Sequence, residues 1–125
     1  MSRADRRTDV ASFEDLRRVA LTLPGAYEDD HRGAPAFRVN NRKFALDWAQ
    51  GGRTILKLEP SHQTFLFEVR PEVFEPCKVE SVNWSFVDLK ALDLEELEAL
   101  VIEAWSTVVP RKVSRPLLGD GGAKA

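Results

Sequence analysis

The sequence predicts an α+β two-layer sandwich, a twisted antiparallel sheet with an N-terminal and a C-terminal helix packed on one of its faces. Three observations predict it. Amphipathic helical patterns lie near both ends: Phe13, Leu16, Ala20 and Leu23, and then Leu94, Leu97, Val101, Ala104, Trp105 and Val108. Between them, short runs of β-branched and aromatic residues are punctuated by Asn-Asn and Gly-Gly pairs. No internal repeat or linker divides the 125 residues, so one domain is expected over 12–113, with flexible ends at 1–11 and 114–125.

In the first helix Ser12 is the expected cap, with Asp15 three residues on as its reciprocal partner. Pro24 disfavours helical geometry at Leu23, and Gly25 permits the turn that follows. Glu28 to Gly33 reads as a polar loop, and Pro35 biases Ala34 toward extended geometry. Ala36–Val39 and Lys43–Trp48 read as strands joined by a two-residue turn at Asn40-Asn41, because asparagine tolerates positive φ. Gly51-Gly52 marks a second turn, and Arg53–Leu58 a third strand of the meander.

Residues 60–69 fit either a strand (Phe65, Phe67, Val69) or a short helix capped by Ser61. Val73-Phe74 reads as a short strand or turn, and Val82–Leu89 as a strand. Asp93 caps the last helix with Glu96 in the capping-box position, and Pro110 stops it.

Composition bounds the function. With 43% hydrophobic and 30% charged residues the chain has the balance of a soluble globular protein. No apolar run approaches the roughly 18 residues of a membrane span, and no apolar stretch follows the arginines of the N-terminus. A cytoplasmic monomer with no membrane role is expected. Cys77, the only cysteine, excludes an internal disulfide.

The net charge of -2 conceals a segregation. Arg32, Arg38, Arg42, Lys43, Arg53 and Lys57 stand against Asp47 alone within 32–57. Asp88, Asp93, Glu95, Glu96, Glu98 and Glu103 stand against Lys90 alone within 88–103. One segment is suited to an anion although the whole chain is weakly acidic.

The pattern resembles the MmcQ/YjbR-like family. The residues that carry the resemblance are Leu23-Pro24-Gly25 with Glu28, Gly33-Ala34-Pro35-Ala36-Phe37-Arg38-Val39, Lys43-Phe44-Ala45, Glu72-Val73-Phe74, the strand around Trp84, and Leu94-Glu95-Glu96-Leu97 through Trp105. It implies a CyaY-like (frataxin-like) sandwich and favours a helix over 60–69. It also implies a DNA-binding role by analogy with double-wing domains, whose β-ribbons approach the duplex. Pro24, Gly25, Glu28, Gly33, Pro35, Trp84 and Trp105 are then structural motif residues. The segment 75–81 lacks the aromatic or histidine that the family leads one to expect there.

The leading candidate site is a basic hairpin of Arg38, Arg42, Lys43, Arg53 and Lys57 that contacts DNA phosphates weakly and without sequence preference. Arg53 and Lys57 share a strand face with Ile55, and Arg38 lies on the face opposite Phe37 and Val39. No exposed aromatic interleaves with these charges in the sequence reading, which disfavours single-strand stacking. Glu28-Asp29-Asp30-His31 has no spaced partner for a metal, and Glu28 is expected to hold its loop through an arginine or backbone group. His62 is uncommitted. The acidic last helix leaves only Glu98 and Glu103 unexplained by helix-start chemistry, and Cys77 beside Lys78 has no neighbouring base. Trp48, Trp84 and Trp105 read as packing residues. No nucleophile elbow, phosphate loop, dinucleotide fingerprint or paired-carboxylate spacing occurs, so neither catalysis nor a cofactor is expected. The alternative is a protein-interaction or small-ligand module.

Overall fold

The structure, a computed structural model, describes residues 11–31, 33–48, 53–77 and 83–118, without the side chains of His31 and Trp48. Arg32, Gly51-Gly52, Lys78 and Val82 lie outside these residues.

The first helix, α1 (Phe13–Ala20), begins in a full capping box between Ser12 and Asp15. Three strands follow, β1 (Tyr27–His31), β2 (Ala34–Val39) and β3 (Arg42–Trp48), then β4 (Arg53–Lys57). Helix α2 (Pro60–Val69) leads to β5 (Phe74–Pro76) and β6 (Trp84–Val87). A 3-10 turn, Leu89–Ala91, precedes α3 (Leu94–Ser106), which Asp93 and Glu96 cap reciprocally, and α4 (Arg111–Leu118) closes the described chain. The six strands pair antiparallel in the order β1-β2-β3-β4-β6-β5. The result is the expected α+β sandwich.

The two faces of the sheet differ. The larger core lies on the helix side, where Phe37, Phe44, Leu56 and Val87 pack with Leu16, Leu97, Val101 and Trp105. Leu66 of α2 and Val113 of α4 join the same cluster. On the other face a smaller cluster gathers Ala36, Leu46, Ile55, Cys77 and Trp84, with Phe86 packed against it. Cys77 is 1% exposed, a packing thiol.

Several elements differ from the sequence expectation. Residues 28–31 belong to an edge strand, not a loop. Pairing of Tyr27 with Arg38 through His31 with Ala34 supplies ladder bonds that outweigh the poor strand propensity of Glu28-Asp29-Asp30. The acidic side chains then protect an exposed edge. Residues 60–69 are helical, but the cap is Glu59 with Pro60 at the first turn, where its missing N–H is harmless, and not Ser61. Asp88 and Leu89 have left the Trp84 strand for the 3-10 turn.

Both ends of the domain also extend further than expected. Ala11 is 2% exposed, and its N–H donates to the Leu92 carbonyl. α3 ends at Ser106, short of Pro110, which starts α4: its carbonyl accepts from the Val113 and Ser114 N–H groups. Ser114 is buried, so the packed region passes 113.

The segment Leu23-Pro24-Gly25 is a structural joint. Gly25 has φ +78°, and a Cβ there would sit 3.3 Å from Val39 Cγ1. The Trp105 indole N–H donates to the Pro24 carbonyl at 2.9 Å, tying α3 to the turn. Gly25→Ala is therefore expected to cost about 1–2 kcal/mol for the left-handed backbone alone. A urea midpoint lowered at unchanged slope would register it.

Candidate functional site

Strand alternation decides where the basic residues point. Ala36 pairs with Leu46, Leu46 with Ile55 and Ile55 with Phe86, which makes one row across the face that carries no helix among the described residues. Arg38 lies two residues beyond Ala36, and Arg53 and Lys57 flank Ile55, so all three emerge on that face. Asp47, the one acid of the basic segment, pairs with Thr54 in the alternate row. Burial pushes the Asp47 carboxyl up, and Arg17 of α1 partly offsets this, which puts Asp47 on the helix side. Arg38, Arg53 and Lys57 thus emerge on one face and Asp47 on the other.

Lys43 reaches the same face by a different device. The β2–β3 register slips between Phe37, which pairs with Ala45, and Arg38, which pairs with Lys43. Phe44 is the extra residue of this bulge. Phe44 and Ala45 both join the helix-side core, and the alternation restarts with Lys43 on the opposite face. The Lys43 ammonium lies 6.0 Å from the centroid of the Trp84 ring. Lys57 is the register partner of that tryptophan. Arg42 is exposed at the hairpin end, where Asn40 and Asn41 adopt φ 50° and 69°.

The five candidates are unequal. Arg38 lies 3.0 Å from Asp29 Oδ2 and donates to the Asn41 carbonyl at 3.1 Å, so it holds β1 and the turn to β2. Arg53 lies 3.9 Å over the Phe86 ring and 2.5 Å from Glu75 Oε1, with both side chains exposed enough for the pair to exchange. Neither Arg42 nor Lys57 pairs with a carboxylate among the described residues. Partial burial lowers the Lys57 pKa, and the nearby Arg42 charge lowers it further. Arg42 and Lys57, with Lys43 beside Trp84, form the cationic end of the face.

That end also carries an aromatic ring that the sequence reading missed. Tyr27, the register partner of Arg38, is 39% exposed. Its hydroxyl accepts from the Asn41 N–H at 3.2 Å and donates to Asn41 Oδ1 at 3.3 Å. The expectation that no exposed aromatic accompanies the charges is thereby corrected. The available signal was a β1 strand, which the run of acids obscured.

The remaining candidates have structural employment. Glu28 accepts both Nε and Nη2 of Arg17, at 3.0 and 3.1 Å, and Arg17 also pairs with Glu14. Glu103 accepts from the Glu59 N–H at 3.0 Å and lies 2.6 Å from His62 Nδ1, joining α2 to α3. Glu96 serves the α3 cap and Arg70. Gly33 holds φ +85° between β1 and β2, and Pro35 pairs with Asp30. No group of three metal-ligating side chains occurs among the described residues. No helix among them is long and apolar enough to cross a membrane.

The family model described as YjbR matches residues 21–107, which include every strand, the basic hairpin and α3. Among solved structures the chain is similar to the crystal structure of Deinococcus radiodurans protein DR2400, described with the domain DUF419. The two are 25% identical with a TM-score of 0.69, over 89% of this chain and 91% of that one. No curated protein matches the chain.

Proposed function

Because the chain belongs to the YjbR family, we propose that the face of its sheet opposite α1 and α3 binds the phosphate backbone of nucleic acid, with the β2–β3 hairpin as the approaching ribbon. The observation that carries this reading is the convergence of Arg38, Lys43, Arg53 and Lys57 on one face, with Arg42 at its end, while Asp47 turns away. Arg42 and Lys57 repel one another and neither pairs with a carboxylate among the described residues, so an external phosphate relieves a cost that the fold carries. Contacts of this kind position a backbone and carry little sequence information. The reading needs neither a catalytic group nor a cofactor, and a cytoplasmic monomer fits it.

Lys57 gives the reading a test that separates function from packing. A cation whose folded pKa lies below its unfolded value costs stability wherever it is charged in both states. That cost is fully present near neutral pH and disappears only as pH rises through the lowered pKa toward the ordinary one. Lys57→Met is therefore expected to raise the melting temperature while weakening oligonucleotide binding, the opposite of what loss of a structural residue does.

In anisotropy titrations with labelled oligonucleotides at two salt concentrations, the wild type is expected to bind with a steep salt dependence. Arg42→Gln/Lys57→Gln is expected to reduce the slope of log K against log salt by roughly 0.7–0.9 per lost phosphate contact. Salt-independent binding, or a double variant indistinguishable from wild type, would remove the proposal.

A second reading has one observation in its favour. Phe65 and Val69 lie one turn apart on α2 and are 56% and 51% exposed, a small apolar stripe suited to a protein surface.

A further inference from the structure

We infer that the bound nucleic acid is single-stranded and that Tyr27 stacks on one of its unpaired bases. The inference rests on the phosphate-binding reading above and names its substrate class. Its ground is the row that runs across the face opposite α1 and α3 at the hairpin end. Tyr27 on β1 pairs with Arg38 on β2, and Arg38 pairs with Lys43 on β3. Lys43 reaches over Trp84, the register partner of Lys57 on β4. Three strand spacings of ~4.8 Å make this row about 14 Å long, with an aromatic ring at the sheet edge and cations along the rest.

Tyr27 is suited to stacking. Its hydroxyl is engaged by Asn41 on both the donor and the acceptor side, which fixes the ring against the turn. No ring or cation packs on it among the described residues, whereas Trp84 is 5% exposed and Phe86 lies beneath Arg53. Glu28, the next residue, is held by Arg17 on the helix side, which leaves Tyr27 on the opposite face. Sequence-tolerant single-strand recognition combines this same pair of elements, a cationic track and an exposed aromatic platform. A duplex keeps its base faces inside its own stack and offers the ring only base edges, sugar and phosphate.

The test compares a labelled oligo(dT), an abasic oligonucleotide of the same length, and a duplex, each against wild type, Tyr27→Phe and Tyr27→Leu, with circular dichroism confirming the fold. The wild type is expected to bind oligo(dT) roughly tenfold more tightly than the abasic strand or the duplex. Tyr27→Phe is expected to retain that preference and Tyr27→Leu to lose it, with duplex affinity unchanged. Equal wild-type affinity for oligo(dT) and the abasic strand would overturn the stacking inference whatever the variants do, and would leave phosphate binding intact. Failure of the wild type to bind any of the three at low salt would overturn both.

Discussion

Trp105→Ala is expected to remove about 3–5 kcal/mol of stability, a large part of what a domain of this size possesses. The indole is 0% exposed and sits where α3 meets α1 and the sheet, so truncation leaves a cavity that several elements share. It also removes the hydrogen bond to the Pro24 carbonyl. Trp105→Phe separates the two contributions: it keeps most of the apolar volume, loses the N–H, and is expected to cost about 1–2 kcal/mol. Urea unfolding of both variants at unchanged slope checks the pair. A Phe variant as unstable as the Ala variant would place the main effect in the hydrogen bond.

Phe44→Ala is expected to cost a comparable amount, about 3–5 kcal/mol, and to affect the candidate site as well. Phe44 is 0% exposed and is the extra residue of the β2–β3 bulge. Its ring anchors the backbone irregularity that returns Lys43 to the face opposite the helices. Loss of that anchor frees the hairpin to slip, and a slip of one residue exchanges the two faces. Oligonucleotide binding by the folded fraction should therefore weaken. Leu97→Ala provides the control, since it creates a buried cavity on α3 away from the hairpin and should leave binding unchanged. Equal binding by the two variants would separate the bulge from the site.

Legibility in the sequence followed the range of the interactions. The capping boxes at Ser12 and Asp93, the Asn40-Asn41 turn and the apolar stripe of α3 are local, set by residues within a few positions of one another, and each stands where it was read. Edge strand β1 was not legible, because its acids disfavour a strand until β2 supplies a partner. The α2 cap was misplaced because Pro60 fits both the end of a strand and the first turn of a helix. α4 was hidden by Pro110, a stop signal for one helix that is also compatible with the start of the next.

The site was half legible. Alternation around Ile55 gave the shared direction of Arg53 and Lys57, and Arg38 followed from Phe37 and Val39. The bulge that turns Lys43, the acids that occupy Arg38 and Arg53, and the approach of Tyr27 to the turn all depend on cross-strand neighbours that local patterns do not reveal.

The most direct measurement is a titration of the isotopically labelled protein with a short oligonucleotide at low salt, followed by amide chemical shifts. Perturbations are expected to concentrate at Tyr27, Arg38, Arg42, Lys43 and Lys57 and to reverse with added salt, with α2 and α3 silent. Perturbations centred on Phe65 and Val69, or none at all, would contradict it.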